Sequence, residues 1–280
     1  MDYHSDRFED HSLMVRDSDG RLVALLPMEV TGDIVASHRG LTYGGLITPP
    51  AHVYADRVFE IFEAICDYLH SEGYRQLIYK PIPYIYTKQP ADDDIYAMFR
   101  LGARMTGCGL SSAIAMRADR VVNESTRQAV SAADSIGLKP GLSDAWEAFW
   151  ILLQKCLRDR HGVAPVHTID EIRLLAGRFP DNIKLFTTER AGELLAGAVV
   201  YLAGRVAHIQ YIATSAEGRC IKALPQLLNF IYSYYQSDFD YLDFGVSTTD
   251  SGRHLNEGLL LQKSGLGARS VAYTEYTLEL

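Results

Sequence analysis

The sequence predicts a mixed α/β protein built from two tandem copies of one sheet-and-helix unit. The chain has 280 residues, enough for two domains of about 100–150 residues each. A hydrophobic content of 48% against 22% charged residues is typical of a folded chain with a sizeable core. The segment from Leu13 to Val35 also aligns without a gap with the segment from Leu185 to Ala207. A repeat this long indicates a duplicated α/β unit rather than a solenoid, whose period is ~20–50 residues.

Each copy opens with a strand hairpin. Asp19-Gly20 marks the turn in SLMVRDSDGRLVALLPMEV, and Ala191-Gly192 marks it in KLFTTERAGELLAGAVVYL. A helical stretch follows in each copy, and then an apolar strand returns. In the first copy the helix is YADRVFEIFEAICDYLHSEG and the strand is QLIYKPIP. In the second copy the helix is ALPQLLNFIYSYYQ and the strand is YLDFGVS. Both copies therefore predict a meander, a helix and a returning strand.

Two further helices precede the second meander. GLSDAWEAFWILLQKCLRDRHG has apolar residues at helical spacing, and Thr168 with Glu171 forms a capping box that opens a helix ending near Arg178. We place the domain boundary in the polar segment DRVVNESTRQAVSAAD, residues 119–134. The predicted domains are residues 1–125 and residues 126–280.

Charge and composition limit the classes of partner. The net charge is −8 and the pI is near 5.6, which argues against an extended nucleic-acid surface and against DNA, although a local basic cleft stays possible. The four cysteines are scattered and none forms a C-x-x-C pair, which is typical of buried thiols in a reducing compartment. No apolar run approaches the ~20 residues of a membrane helix, and the polar N-terminus does not resemble a signal peptide. We expect a cytoplasmic protein without a membrane partner, and its oligomeric state stays open.

Several familiar motifs are incomplete in this chain. Asp243-Phe244-Gly245 matches the kinase magnesium motif, but a glycine-rich loop and an HRD loop are missing. Gly265-x-Gly267 follows a helix and lacks its third glycine, so it does not indicate a dinucleotide site. His161 and His167 are separated by a proline, which excludes the one-turn spacing of helical zinc ligands. We expect no metal.

The doubled meander, helix and returning strand resembles the GNAT acyltransferase fold, and two such units in tandem resemble the FemAB-type aminoacyltransferases. The strand ending in Asp243-Phe244-Gly245 and the later Lys263-Ser264-Gly265-Leu266-Gly267 resemble that family's Asp-Phe-Gly and Lys-x-x-Phe-Gly segments, with Leu in place of Phe. RDRHGVAPVHT (158–168) resembles the family's Gly-x-Pro-Val-His segment. The resemblance covers residues ~10–280. It implies two tandem GNAT-like domains, the first serving the acceptor and the second the donor and the chemistry.

One segment departs from acetyl-CoA-binding relatives. Those proteins hold the pyrophosphate on a Q/R-x-x-G-x-G/A loop at a helix N-terminus. Here the corresponding stretch, SAEGRCIKA (215–223), has one glycine. FemAB-type proteins also lack the full loop. If a CoA thioester binds, Thr214, Gly218 and Arg219 are the candidate cofactor-binding residues.

Acyl transfer to an amine requires a neutral amine, donors for the developing oxyanion, and both reactants held at attack distance. The resemblance makes Lys263 the leading candidate to stabilise the oxyanion or a donor phosphate; the alternative is a solvated lysine at a helix end. Asp243 ends a buried strand, where α/β sheets open their crevices, and either acts in catalysis or makes a structural hydrogen bond. His161 is the third catalytic candidate, with a surface histidine as the alternative.

The remaining candidates are substrate-binding residues. In the second half they are His167, Tyr211, Ser247 and Asn256, of which Asn256 is equally suited to capping the next helix. In the first half, KPIPYIYTKQPADDD (80–94) suggests a substrate-binding rim that includes Tyr86. FemAB relatives hold an anionic acceptor on basic residues of the first domain, which implicates Lys80 and Arg100. We expect Lys88 and residues 92–94 to form a solvated loop.

The predicted function is N-acyl transfer, such as N-acetyl transfer, from acyl-CoA to a small-molecule or peptide-like amine. One alternative is an aminoacyl-tRNA-dependent FemAB-type aminoacyltransferase acting on a cell-wall precursor, against which the acidic balance counts mildly. A second alternative is a catalytically silent ligand-binding protein, because neither half keeps a complete donor loop.

Overall fold

A computed structural model describes residues 2–280, apart from the side chains of Asp2 and His161. The helices are α1 (Ala55–Ser71), α2 (Asp93–Arg100), α3 (Glu124–Ser135), α4 (Trp146–His161), α5 (Ile169–Arg178), α6 (Ala216–Cys220), α7 (Ala223–Tyr235) and α8 (Glu257–Gly265). The strands are β1 (Glu9–Asp10), β2 (Leu13–Arg16), β3 (Leu22–Leu26), β4 (Glu29–Thr31), β5 (Ile34–Ala36), β6 (Gln76–Tyr79), β7 (Arg104–Ala115), β8 (Lys139–Ser143), β9 (Ile183–Arg190), β10 (Glu193–Ala203), β11 (Val206–Thr214), β12 (Tyr241–Val246), β13 (Thr248–Thr249), β14 (His254–Leu255) and β15 (Arg269–Glu279).

The chain forms two compact units that interleave along the sequence. The first unit contains the chain up to Leu110 together with Thr248–Leu255 and Val271–Leu280. The second contains Ser111–Ser247 and Asn256–Ser270. The predicted domains, residues 1–125 and 126–280, are each continuous in the sequence, whereas each compact unit consists of two or three separate stretches of the chain.

In the first unit the strand order is β1-β4-β5-β6-β15-β7, and the hairpin β2–β3 forms a separate two-stranded sheet. Pro27 lies between β3 and β4. Because proline has no backbone N–H, it cannot donate to a sheet ladder at this point. Helix α1 buries an apolar stripe at helical spacing, consisting of Val58, Ile61, Phe62, Ile65 and Leu69. This stripe packs in one core with Leu26, Leu77 and Tyr276.

In the second unit the strand order is β7-β12-β11-β10-β9-β8. One core on the α7 face of this sheet includes Leu242 and Ile209, and a second core contains Trp150 and Ala213. The capping box at Thr168 is confirmed, because its side chain accepts from the Glu171 amide while the Glu171 carboxylate accepts from the Thr168 amide.

The duplication is confirmed by the sheet register. Both predicted hairpins form, β2 with β3 and β9 with β10. In the first unit β5 pairs with β6 in parallel over Ile34–Ala36, and in the second β11 pairs with β12 in parallel over Val206–His208. Each copy therefore contains a hairpin, a helix and a returning parallel strand, as the repeat predicted.

Two polar segments differ from the sequence interpretation. Residues 119–134, which we expected to be a boundary, contain most of α3; Asn123 caps this helix, and Asp134 accepts a 2.7 Å hydrogen bond from Gln226. Residues 92–94, expected in a solvated loop, lead into α2, and the Asp94 carboxylate accepts a 2.5 Å hydrogen bond from Tyr79. Burial raises the pKa of Asp94. Ala133 is the fully buried residue of α3, and most other residues of both segments are polar or exposed, so composition alone did not reveal the packing.

Candidate functional site

Strands β11 and β12 separate partway along their length. Their parallel pairing ends at His208 and Asp243, yet β11 continues to Thr214. On its other side β11 has a bulge, because Tyr211 pairs with Val199 while Ile209 pairs with Val200, which leaves Gln210 as an extra residue. A bulge bends its strand and increases the local twist. The second copy therefore has a wedge where its parallel strands part.

A buried chain of hydrogen bonds lies where the two strands part. The Asp243 carboxylate is fully buried. One of its oxygens accepts a 2.6 Å hydrogen bond from the Ser111 hydroxyl, and the other lies 2.7 Å from His208 Nδ1. The His208 side chain keeps 16% of its surface exposed. This arrangement fixes the imidazole and gives it access to solvent.

Gly245 accommodates the histidine. Strand β12 is bulged against β7, because Asp243 pairs with Ala113 and Val246 pairs with Ser111. Gly245 has φ +70°, in the left-handed region that favours glycine, and a Cβ there would lie 3.4 Å from His208 Cε1. The positive φ of this glycine therefore permits the bulge, while the His208 ring lies at ordinary contact distance beside it.

Lys263 is bound to this bulge. It is 4% exposed, and its ammonium donates to the carbonyls of Gly245 (2.8 Å) and Val246 (3.1 Å) and to Ser247 Oγ (2.9 Å). Burial lowers the pKa of Lys263 to about 8, and the Asp243 charge opposes this shift. The alternative interpretation of a solvated lysine at a helix end is wrong. The three N–H donors of the ammonium all have protein acceptors.

Another hydrogen bond joins His167 to the diverging part of β11. His167 Nδ1 lies 2.5 Å from the Tyr211 hydroxyl, and the Tyr211 ring packs edge-on against Trp150. Since Tyr211 and Ala213 pack in the core that contains Trp150, this part of β11 faces α4. His161 is the last residue of α4, and its side chain lies outside the described residues.

The candidate cofactor-binding stretch is a short helix rather than an open loop. Ser215 caps α6, and its Oγ accepts from the Gly218 amide at 2.9 Å. A Cβ at Gly218 would lie 2.1 Å from the Leu195 carbonyl oxygen, so packing explains this glycine. Arg219 donates to the carbonyl of Thr214 at 2.9 Å. The roles of these residues toward a cofactor stay predictions.

In the first copy, residues 44–46 of the chain itself occupy the place that corresponds to the wedge. The Gly44 amide donates to the Lys80 carbonyl, and the Leu46 amide donates to the Tyr79 hydroxyl. A Cβ at Gly45 would lie 2.7 Å from the Ile82 nitrogen. Residues 44–46 thus pack closely against the segment that leaves β6.

The other predicted site residues lie apart from one another. Asn256 is the N-cap of α8 and accepts from the Leu259 amide, while Ser247 belongs to the Lys263 cluster. In the first unit, Arg100 is exposed and stacks over the Phe59 ring at 4.6 Å. Lys80 and Tyr86 lie elsewhere in that unit and are considered below.

Sequence reasoning missed His208 and Ser111. The repeat alignment itself carried the signal for the histidine: Ala36 stands where the second copy has His208, and in the sheet register Ile78 stands where it has Asp243. A polar pair that replaces an apolar pair at matching positions of the two copies predicts a site in one copy only. Ser111 had no such signal.

No group of three or more His, Cys, Asp or Glu side chains among residues 2–280 is placed to hold a metal ion. Among the same residues, no helix has the length and apolar character needed to cross a membrane.

The fold and the wedge define a class of protein, a tandem GNAT-like protein with one open copy. Residues 120–250 match the family model described as an acetyltransferase (GNAT) domain. The structure is similar to FemX, with 13% identity, a TM-score of 0.70, and coverage of 98% of this chain and 88% of FemX. No curated protein sequence matches the chain.

Two other solved structures share the fold. The structure of L-PGS from Bacillus licheniformis has 11% identity and a TM-score of 0.63, covering 95% of this chain and 84% of that one. A tandem GNAT protein from the clavulanic acid biosynthesis pathway has 12% identity and a TM-score of 0.52, covering 96% and 82%. The match over residues 120–250 and these likenesses confirm the predicted resemblance: the chain contains a segment that matches a GNAT domain, and its tandem fold is similar to that of FemX.

Proposed function

We propose that the second unit transfers an acyl group onto an amine acceptor by direct attack. The observation that carries this proposal is the Ser111–Asp243–His208 chain at the point where β11 and β12 part. Crevices at the carboxyl ends of parallel strands are common ligand sites in α/β folds. The filled wedge of the first copy favours the second copy as the catalytic one.

His208 is proposed as the general base. When Nδ1–H donates to Asp243, the lone pair of the imidazole is on Nε2, which takes a proton from the neutral amine as it attacks. The C–N bond forms, the bond from the carbonyl carbon to the leaving group breaks, and the imidazolium returns the proton to the leaving thiolate or alkoxide. Asp243 and Ser111 are positioning residues that hold the ring and its tautomer.

Lys263 has two proposed roles. Its ammonium stabilises the bulge that sets Gly245 against His208, through the two carbonyls it contacts. It remains the candidate for contacting the developing oxyanion. That contact requires the Ser247 hydroxyl to yield its place to the substrate oxygen, because the other two acceptors are backbone atoms.

The donor in this proposal is an acyl-CoA, with Thr214 and Arg219 beside it. One observation favours the second candidate, an aminoacyl-tRNA ester: the Gly218 amide already donates to Ser215, so it is not presented to a pyrophosphate. On the acceptor side, His167, Tyr211 and Asn256 are the proposed binding residues. The four cysteines carry free thiols, which fits a reducing compartment such as the cytoplasm.

The test is a transfer assay with the full chain, a panel of amines, and either acetyl-CoA, a longer acyl-CoA or charged tRNA as donor. His208→Gln and Asp243→Asn should lower kcat by about 10²–10⁴. His70→Gln, which changes an exposed histidine in α1, is the matched control and should leave kcat unchanged. Turnover with neither donor class would support a silent ligand-binding protein, and full activity of His208→Gln would exclude the proposed base.

A further inference from the structure

Three tyrosines of the first unit form a contiguous aromatic cluster, which we call the tyrosine cluster. The rings of Tyr43 and Tyr86 lie 4.7 Å apart at 46°, and those of Tyr43 and Tyr273 lie 6.5 Å apart at 81°. The hydroxyl of Tyr273 lies 3.4 Å from that of Tyr86. All three side chains are half-buried, so the cluster offers apolar ring surface with polar tips.

Glu275 lies on the same face of β15 as Tyr273, and it forms a long ion pair with Lys80. Tyr276 and Leu278 point into the core, so Tyr273 and Glu275 point to the opposite face. Lys80 Nζ lies 4.0 Å from the Glu275 carboxylate, beyond hydrogen-bond distance. The two side chains keep 22% and 32% of their surface exposed, which leaves both charges accessible to a ligand.

This pairing differs from the anion site that the family resemblance implied for Lys80. A carboxylate 4.0 Å away offsets the lysine charge, so an acceptor that is only anionic would meet Glu275 as well. A ligand carrying both charges on neighbouring atoms satisfies both side chains. Aromatic faces also attract an ammonium group.

We propose that Lys80, Glu275 and the tyrosine cluster bind a free α-amino acid as its zwitterion. Lys80 contacts the carboxylate, Glu275 contacts the ammonium, and the tyrosine rings pack against the ammonium and the side chain. Thr106 Oγ1, 3.5 Å from a Glu275 oxygen, lies beside the carboxylate. The binding needs no acyl donor, and it does not depend on the proposed transfer reaction.

The test is isothermal titration of the full chain with L-alanine and with three analogues: alaninamide, propionate, and N-acetylalaninamide, which carries neither charge. We expect saturable binding of L-alanine with a Kd of about 10 mM or tighter, and binding at least ten-fold weaker for each analogue. Binding of alaninamide or propionate as tight as that of L-alanine would overturn the zwitterion assignment. So would an absence of saturable alanine binding.

Variants locate the site. Glu275→Gln and Lys80→Met should each weaken alanine binding at least ten-fold, whereas Arg57→Met and Glu60→Gln should not. The latter two remove the charges of an exposed pair on α1 of the same unit. Unchanged binding in Glu275→Gln would overturn the proposal. The titration repeated on Asp243→Asn should give the wild-type Kd, which separates this inference from the fate of the catalytic proposal.

Discussion

Lys263→Met tests whether the buried ammonium holds the β12 bulge. Methionine keeps a flexible side chain of similar length but removes the donors that reach Gly245, Val246 and Ser247. The Ser247 hydroxyl can rotate to another partner, whereas the two carbonyls lose theirs. A buried polar group left without its partner costs about 1–3 kcal/mol. Gly245 is half-buried and Val246 is 42% exposed, so water can reach at least part of this bulge and the two carbonyls together cost about 1–3 kcal/mol.

Removing a buried charge offsets part of that cost, because the ammonium no longer has to be desolvated. We therefore expect a net loss of about 1–2 kcal/mol in the free energy of unfolding. Lys155→Met is the matched control, since Lys155 is an exposed lysine on α4. It should change the free energy of unfolding by no more than about 0.5 kcal/mol.

Urea unfolding followed by tryptophan fluorescence is the assay, because both tryptophans, Trp146 and Trp150, lie in the second unit and report on its unfolding. A Lys263→Met midpoint that coincides with that of Lys155→Met would refute the reasoning. It would mean that the carbonyls of the bulge find other partners without cost.

Two further predictions concern the second unit. The pKa of Lys263 falls from 10.5 to about 8 on folding, so between these values the unfolded chain binds more protons, and the contribution of Lys263 makes the free energy of unfolding rise with pH from about 8 to about 10.5. Parallel pH dependences of the wild type and Lys263→Met would contradict this. Gly218→Ala should cost about 1–3 kcal/mol or more, because its Cβ would meet the Leu195 carbonyl oxygen at 2.1 Å. Gly177→Ala, in helix α5 with nothing within 4 Å of the new Cβ, should instead stabilise by about 0.5–1 kcal/mol, and equal effects of the two changes in urea unfolding would contradict the packing argument.

Local patterns were predictable where they depend on residues close together in the sequence. The hairpin turns at Asp19-Gly20 and Ala191-Gly192 and the capping box at Thr168 all formed as expected. The roles of α3 and of Asp94 were not predictable, since both depend on contacts with elements distant in the sequence, such as the hydrogen bonds of Asp134 to Gln226 and of Asp94 to Tyr79. Lys263 was identified, but its burial was not, because its helix has a weak amphipathic pattern.

The sequence by itself determined the duplicated architecture. Hairpin turns and the periodic spacing of apolar residues depend only on residues that are close together in the chain, and these patterns recur in both copies. The tertiary structure decided which copy is open and which side chains meet there. His208 and Asp243 stand 35 residues apart and come within 2.7 Å only through parallel pairing of β11 and β12. Such a contact depends on register and bulges, which the order of the residues does not show.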